Sequence, residues 1–202
     1  MVKESFVVPD RECGTCTSCC RDLAIIEDGM KKLPGVNCEH CDMAAGLCRI
    51  YESRPNVCRT FDCAWRSLPY MDESWRPDRS GVLMTLEHNE EPDGSMQSKV
   101  TLIVVGDQAV LATDRFASMV AGFIESGTST CLVLQGAPGT FGYSYILDEQ
   151  LVRPIAERNL GAVKAVIRDV YALLKVQPNI PVTAEMMGYA PDQAVPVTGS
   201  LR

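Results

Sequence analysis

The chain has 202 residues, 46% hydrophobic and 22% charged, with a formal net charge of −7. Length and composition fit a soluble globular protein of one sizeable domain or two small ones. Eight basic face ten acidic residues up to Cys63 and eleven face sixteen beyond it, so neither half is a basic surface and general nucleic-acid binding is not expected.

Met1–Ser5 opens on charges and no apolar signal region follows, so a cytoplasmic, reducing compartment is expected. No apolar run approaches the roughly 18 residues of a membrane span. Nine of the ten cysteines lie between Cys13 and Cys63: Cys13, Cys16, Cys19, Cys20, Cys38, Cys41, Cys48, Cys58 and Cys63. In a reducing compartment such density points to metal thiolates rather than disulfides. Residues 1–75 show little periodicity. They are expected to form an irregular Cys-rich metal-binding module of short helices and loops, ordered by metal rather than by a large core.

Residues 76–176 read as an α+β domain. After a broken stretch around Pro69 and Pro77, Gly81–His88 and Lys99–Val105 predict a hairpin, with Asn89–Gly94 and its Pro92-Asp93-Gly94 as the turn. A helix is predicted from the Thr113-Asp114 cap to Gly127, with Phe116, Met119, Val120, Phe123 and Ile124 on one face. Cys131–Gln135 and Gly142–Leu147 predict two more strands, and Cys131 a buried core thiol. A second helix is predicted from Ile155 to Val176, with Leu160, Val163, Val166, Ile167, Val170, Leu173 and Leu174 in its apolar stripe. The order β-β-α-β-β-α predicts a small antiparallel sheet with helices on one face. Residues 177–202, with four prolines, predict an extended tail draped over the domain or used for contacts.

The cysteine spacings support two metals. Cys13-x2-Cys16-x2-Cys19 puts three thiolates on one loop, as in [4Fe–4S] binding with a distant fourth ligand. Cys16-x2-Cys19-x18-Cys38-x2-Cys41 falls within the spacing of a Zn2+ ribbon. Nine thiols exceed one tetrahedral site by five. Eight would fill two four-coordinate sites and leave the ninth free or reactive, and neighbouring Cys19-Cys20 would serve two different metals or include a core thiol. Arg21, Arg49, Arg54, Arg59 and Arg66 are near enough in sequence to stabilise thiolates, or to form surface salt bridges. Pro55 would set the approach of Cys58. Tyr51 and Phe61 read as a metal shield or as the module's small core.

Cys13-Gly14-Thr15-Cys16-Thr17-Ser18-Cys19-Cys20, then Cys38, then Cys48-Arg49-Ile50-Tyr51-Glu52-Ser53-Arg54-Pro55-Asn56-Val57-Cys58-Arg59-Thr60-Phe61 resemble the YkgJ-type cysteine-cluster family, described as zinc- or iron-chelating. Flagellin lysine N-methylases carry a related cluster. The likeness covers residues 11–63. It implies a metal and little more, and Cys41 and Cys63 are additions to its pattern.

Other chemistry is sparse. His40, beside Cys41, reads as a loop residue or an alternative ligand, and His88 as exposed. Gly136-Ala137-Pro138-Gly139-Thr140-Phe141-Gly142 has glycines that admit close backbone approach, but no Lys and no helix follow to make a phosphate loop. Phe141, Tyr143 and Tyr145 alternate as a sheet-packing stripe or a binding platform. Three functions are consistent with these features: an iron–sulfur or zinc protein with a redox, sensing or enzyme-assisting role; a zinc-held scaffold whose α+β domain binds a partner protein; and a metal-dependent enzyme acting on a peptide or small molecule between the modules.

Overall fold

The computed structural model describes residues 7–27, 29–90 and 93–189. Met1–Ser5, Pro92 of the expected turn, and Pro191 and Pro196 of the expected tail lie outside the described residues. The N-terminal part is built of short pieces: α1 (Ser18–Asp22), the hairpin β1 (Ile25–Glu27) and β2 (Met30–Lys32), the hairpin β3 (Cys41–Asp42) and β4 (Leu47–Cys48), and α2 (Asn56–Thr60). Long-range polar contacts hold them. Glu27, on β1, accepts the first amides of α2 from Asn56 (2.9 Å) and Val57 (2.6 Å), replacing a local N-cap. Those contacts hold its carboxyl below the usual range.

α3 (Ala64–Ser67) and α4 (Pro77–Ser80) lead into the larger sheet. Pro77 opens α4 with its fixed φ. Arg11 reaches over this stretch and donates to the carbonyls of Trp65, Leu68, Pro69 and Met71. Ala64, Trp65, Met71 and Trp75 enter the same apolar core as the strands that follow.

Those strands are β5 (Val82–Glu90), β6 (Met96–Val104) and β7 (Ser129–Leu134), then the short β8 (Thr140–Phe141) and β9 (Ser144–Ile146). The sheet order is β5-β6-β7-β9. β5–β6 and β7–β9 are antiparallel as expected, but β6–β7 is parallel, with Leu102 opposite Leu132. The cause is α5 (Asp114–Glu125), a crossover that returns the chain in the same direction. Thr113 caps α5 through the Phe116 amide.

The helix predicted from Ile155 to Val176 starts later, at Leu160, and Ile155 belongs to a separate preceding helix that the periodicity does not show. α6 (Asp148–Ala156) and α7 (Leu160–Lys175) are separated where Arg158 takes a φ of 52° and Asn159 caps the Ala162 amide. Of the predicted stripe, Val163, Ile167, Val170 and Leu174 are buried and Leu160 and Val166 half-buried, but Leu173 is exposed, because it lies off the face turned to the core. The strand predicted at Gly142–Leu147 is interrupted at Gly142, where a Cβ would stand 1.7 Å from the Leu134 carbonyl oxygen. The aromatic stripe is divided with it. Tyr145 packs on the core, while Phe141 belongs to β8, which pairs with β10 (Ile180–Pro181).

A second, small core joins the chain's two ends. Met187 packs with Leu33 and Val36, and Lys31 donates to the Gly188 carbonyl at 2.8 Å and sits over the Tyr189 ring. Residues 177–189 thus fold back onto the β1–β2 region. The fold class is α+β. Among the described residues no helix is long and apolar enough to cross a membrane.

Candidate metal centre

All nine clustered cysteines line one cavity of about 430 Å³. Local geometry explains how such dispersed residues meet. Cys13-x2-Cys16 and Cys38-x2-Cys41 each close a tight turn, with Cys16 N–H on the Cys13 carbonyl (2.9 Å) and Cys41 N–H on the Cys38 carbonyl (3.0 Å). Cys19 and Cys20 follow on α1. The Cys38 amide donates to the Cys20 carbonyl (3.0 Å), which brings the second turn to the first helix. Cys41 and Cys48 are direct partners in the β3–β4 ladder, so their side chains share a face. Cys58 lies on α2, which begins after Pro55 at a φ of −51°. Cys63 precedes α3.

Glycine geometry brings the two turns together. Gly46, at the tip of the β3–β4 hairpin, has a φ of 66°, and a Cβ there would stand 2.6 Å from Thr15 Cα. Thr15 is inside the Cys13-x2-Cys16 turn, so the hairpin and the loop touch backbone to backbone.

The thiols are electrostatically uneven. Burial raises Cys13, Cys38 and Cys58, and lifts Cys63 to about 11 and Cys41 to about 12. Cys20 goes the other way, to about 6, chiefly because the Cys19 thiol donates to it, with Cys41, Lys32 and Arg54 adding to the effect. Cys19 is raised by that same hydrogen bond and by burial. A metal binding here would displace protons from most of its ligands.

Several important residues carried no sequence signal. Lys32 is 2% exposed, and its ammonium donates to the carbonyls of Arg21 (2.9 Å), Leu33 (3.0 Å) and Val36 (2.8 Å). It is a fixed positive charge near Cys38, Cys20 and Cys19. Trp65 lines the cavity at 2% exposure, and its indole N–H is buried without an acceptor. Of the expected arginines, Arg54 acts on Cys20 and Cys58, and Arg66 on Cys13 and Cys63. Arg66 also pairs with Asp62 at 2.6 Å, Arg21 with Asp22 and Arg49 with Asp42. Phe61 packs against the main core, whereas Tyr51 is 55% exposed beneath the Arg54 guanidinium.

His40 lines the cavity half-buried and faces Glu39 at 3.7 Å. His88 is on the exposed end of β5, bonded to the Ser98 hydroxyl. Cys131 is 4% exposed on β7, near Ser144 and Asp148. The glycine loop packs on the N-terminal part: the Gly139 amide donates to the Pro34 carbonyl at 2.8 Å.

Among the described residues, no group of three or more His, Cys, Asp or Glu side chains is arranged to hold a single metal ion. The thiols line a chamber instead of converging on a point. The donor set is still the soft sulfur set that selects iron–sulfur clusters and zinc over oxygen-seeking cations. The buried Trp65 N–H adds a donor for an acceptor that the described residues do not supply. No family model, curated protein or solved structure matches the chain.

Proposed function

We propose that this protein carries a thiolate-bound metal centre in the cysteine cavity, and that the centre is an iron–sulfur cluster of the [4Fe–4S] type. The observation that carries the reading is the convergence of nine cysteines, from several separate short elements and turns, on one 430 Å³ chamber. A cluster brings its own sulfides, so it suits a chamber better than a single ion does. A sulfide would also accept the Trp65 N–H, and hydrogen bonds to cluster sulfur are among the factors that set its potential. Bound there, the cluster would supply one-electron redox chemistry, in a redox, sensing or enzyme-assisting role. The protein's own part is to hold it through cysteines, to balance its charge with Lys32, Arg54 and Arg66, and to exclude water with Phe61, Trp65 and Leu83. On this reading the protein works in the reducing cytoplasm, where thiols persist. The likeness of Cys13–Phe61 to the cysteine-cluster family supports it.

A second reading has its own observation. The Cys38-x2-Cys41 turn followed by Cys48, opposite Cys41 in a hairpin, has the form of a zinc knuckle. Zinc would then be structural, its thiols rotated inward onto one ion, and the α+β domain would bind a partner protein.

Anaerobic purification followed by iron, acid-labile sulfide and zinc analysis tests both. Brown protein with iron and sulfide in equal amounts is the expected result. Colourless protein with stoichiometric zinc transfers the case to the second reading, and protein free of both metals overturns the two together.

A further inference from the structure

Nine thiols are more than one four-coordinate centre can use, and they are not evenly mixed. The named electrostatic neighbours of Cys63 are Cys13, Cys16 and Arg66. Those of Cys19, beyond its partner Cys20, are Cys13 and Cys16. On the other side, Cys41 has Cys20, Cys38 and Cys48 around it, and Cys58 has the same three with Arg54. Backbone links agree with this division. Cys13 and Cys16 share one turn, whereas Cys38 and Cys41 share another that is bonded to Cys20 and paired to Cys48.

The arginines divide in the same way. Arg66 faces Cys13 and Cys63, and Arg21 and Arg76 face Cys16. Lys32 and Arg54 face Cys20, with Arg54 also facing Cys58 and Lys32 facing Cys38 and, across the division, Cys19. Arg66, Arg21 and Arg76 thus stand beside the first group and Arg54 beside the second, with Lys32 at the boundary between Cys19 and Cys20. Cys19 and Cys20 stand on α1, where consecutive side chains leave the axis about 100° apart.

We propose that the thiols form two metal centres divided between Cys19 and Cys20: one held by Cys13, Cys16, Cys19 and Cys63, the other drawn from Cys20, Cys38, Cys41, Cys48 and Cys58. The inference rests on the thiolate-centre reading and extends it to two sites on either side of one helical turn. It holds for iron–sulfur and for zinc.

The test is metal content per chain, by elemental analysis and native mass spectrometry, of the full-length protein, four single variants and one double variant. Cys16→Ser and Cys63→Ser are each expected to keep roughly half of the metal, as are Cys38→Ser and Cys48→Ser. The double variant Cys16→Ser with Cys48→Ser is expected to keep none. Far-UV circular dichroism accompanies each count. Should one variant fail to fold, the other member of its group supplies the number. Complete loss of metal from folded single variants of both groups overturns the division. An unaltered chain holding a single centre also overturns the division and leaves the thiolate reading standing, whereas an unaltered chain with no metal removes both.

Discussion

Lys32 shows how far a single side chain can depart from what its type suggests. A lysine in a short hairpin reads as solvent-exposed, yet here three carbonyls turn inward to take its ammonium. Lys32→Met would leave those carbonyls unpaired, and a loss of about 3 kcal/mol is expected in urea unfolding at pH 7. Burial lowers its pKa from 10.5 to about 8. Below about pH 8 the ammonium is charged in both states and the desolvation penalty is fully present. Between 8 and 10.5 the unfolded chain binds more protons, so this group adds stability as pH rises. The gap between wild type and Lys32→Met should widen over that window, and a narrowing gap would refute the assignment. Cys131 is the contrasting case. Its strand context foretold burial, and Cys131→Ser should leave the metal content unchanged while lowering stability by about 1 kcal/mol. The cysteine spacings were informative because two-residue gaps define tight turns locally. The roles of Lys32, Trp65 and Arg11 were not, because each depends on partners that only tertiary folding brings near.

Among elements, hydrophobic periodicity located β5, β6, β7, α5 and the buried stripe of α7, since those patterns are local consequences of facing one core. It could not detect the parallel β6–β7 pairing, which comes from the crossover direction and leaves the residue pattern of each strand unaltered. Nor did it find α6, which lies almost wholly before the predicted helix, or the break at Arg158 and Asn159, which end one helix and cap the next without breaking the apolar spacing. The β3–β4 hairpin makes the sharpest prediction at this scale. Gly46→Ala meets both a positive φ and the Thr15 backbone, so it should destabilise the protein by about 3 kcal/mol. Because Thr15 lies between Cys13 and Cys16, metal content should fall with it. A Gly46→Ala chain with full metal content and unchanged unfolding would mean the hairpin is free to move away from the loop.

Across the whole molecule, the sheet lies between two layers. The face carrying Val82, Met84, Val100, Leu102, Val104 and Leu132 joins α5–α7 in one core, while Leu83 looks into the cysteine cavity. The segment after α7 then ties the N-terminal hairpin down through Met187, Leu33 and Val36. Met187→Ala should remove about 3 kcal/mol from this small core. Hydrogen exchange at residues 30–36 should quicken while β6 and β7 stay protected, since the main core does not include Met187. Equal acceleration in both regions would show that the two cores open as one.

The order in which the cavity's residues are made has a consequence for biosynthesis. Translation proceeds from the N-terminus, so Cys13 to Cys63 leave the ribosome before Leu83 and long before Met187. At usual elongation speeds that interval is on the order of ten seconds. Early in it, before Leu83 adds its side chain to the cavity wall, the nine thiols stand open to whatever delivers metal or oxidant, and only at its end does the segment carrying Met187 arrive to tie down Leu33 and Val36. The part of the chain made first is anchored by the part made last.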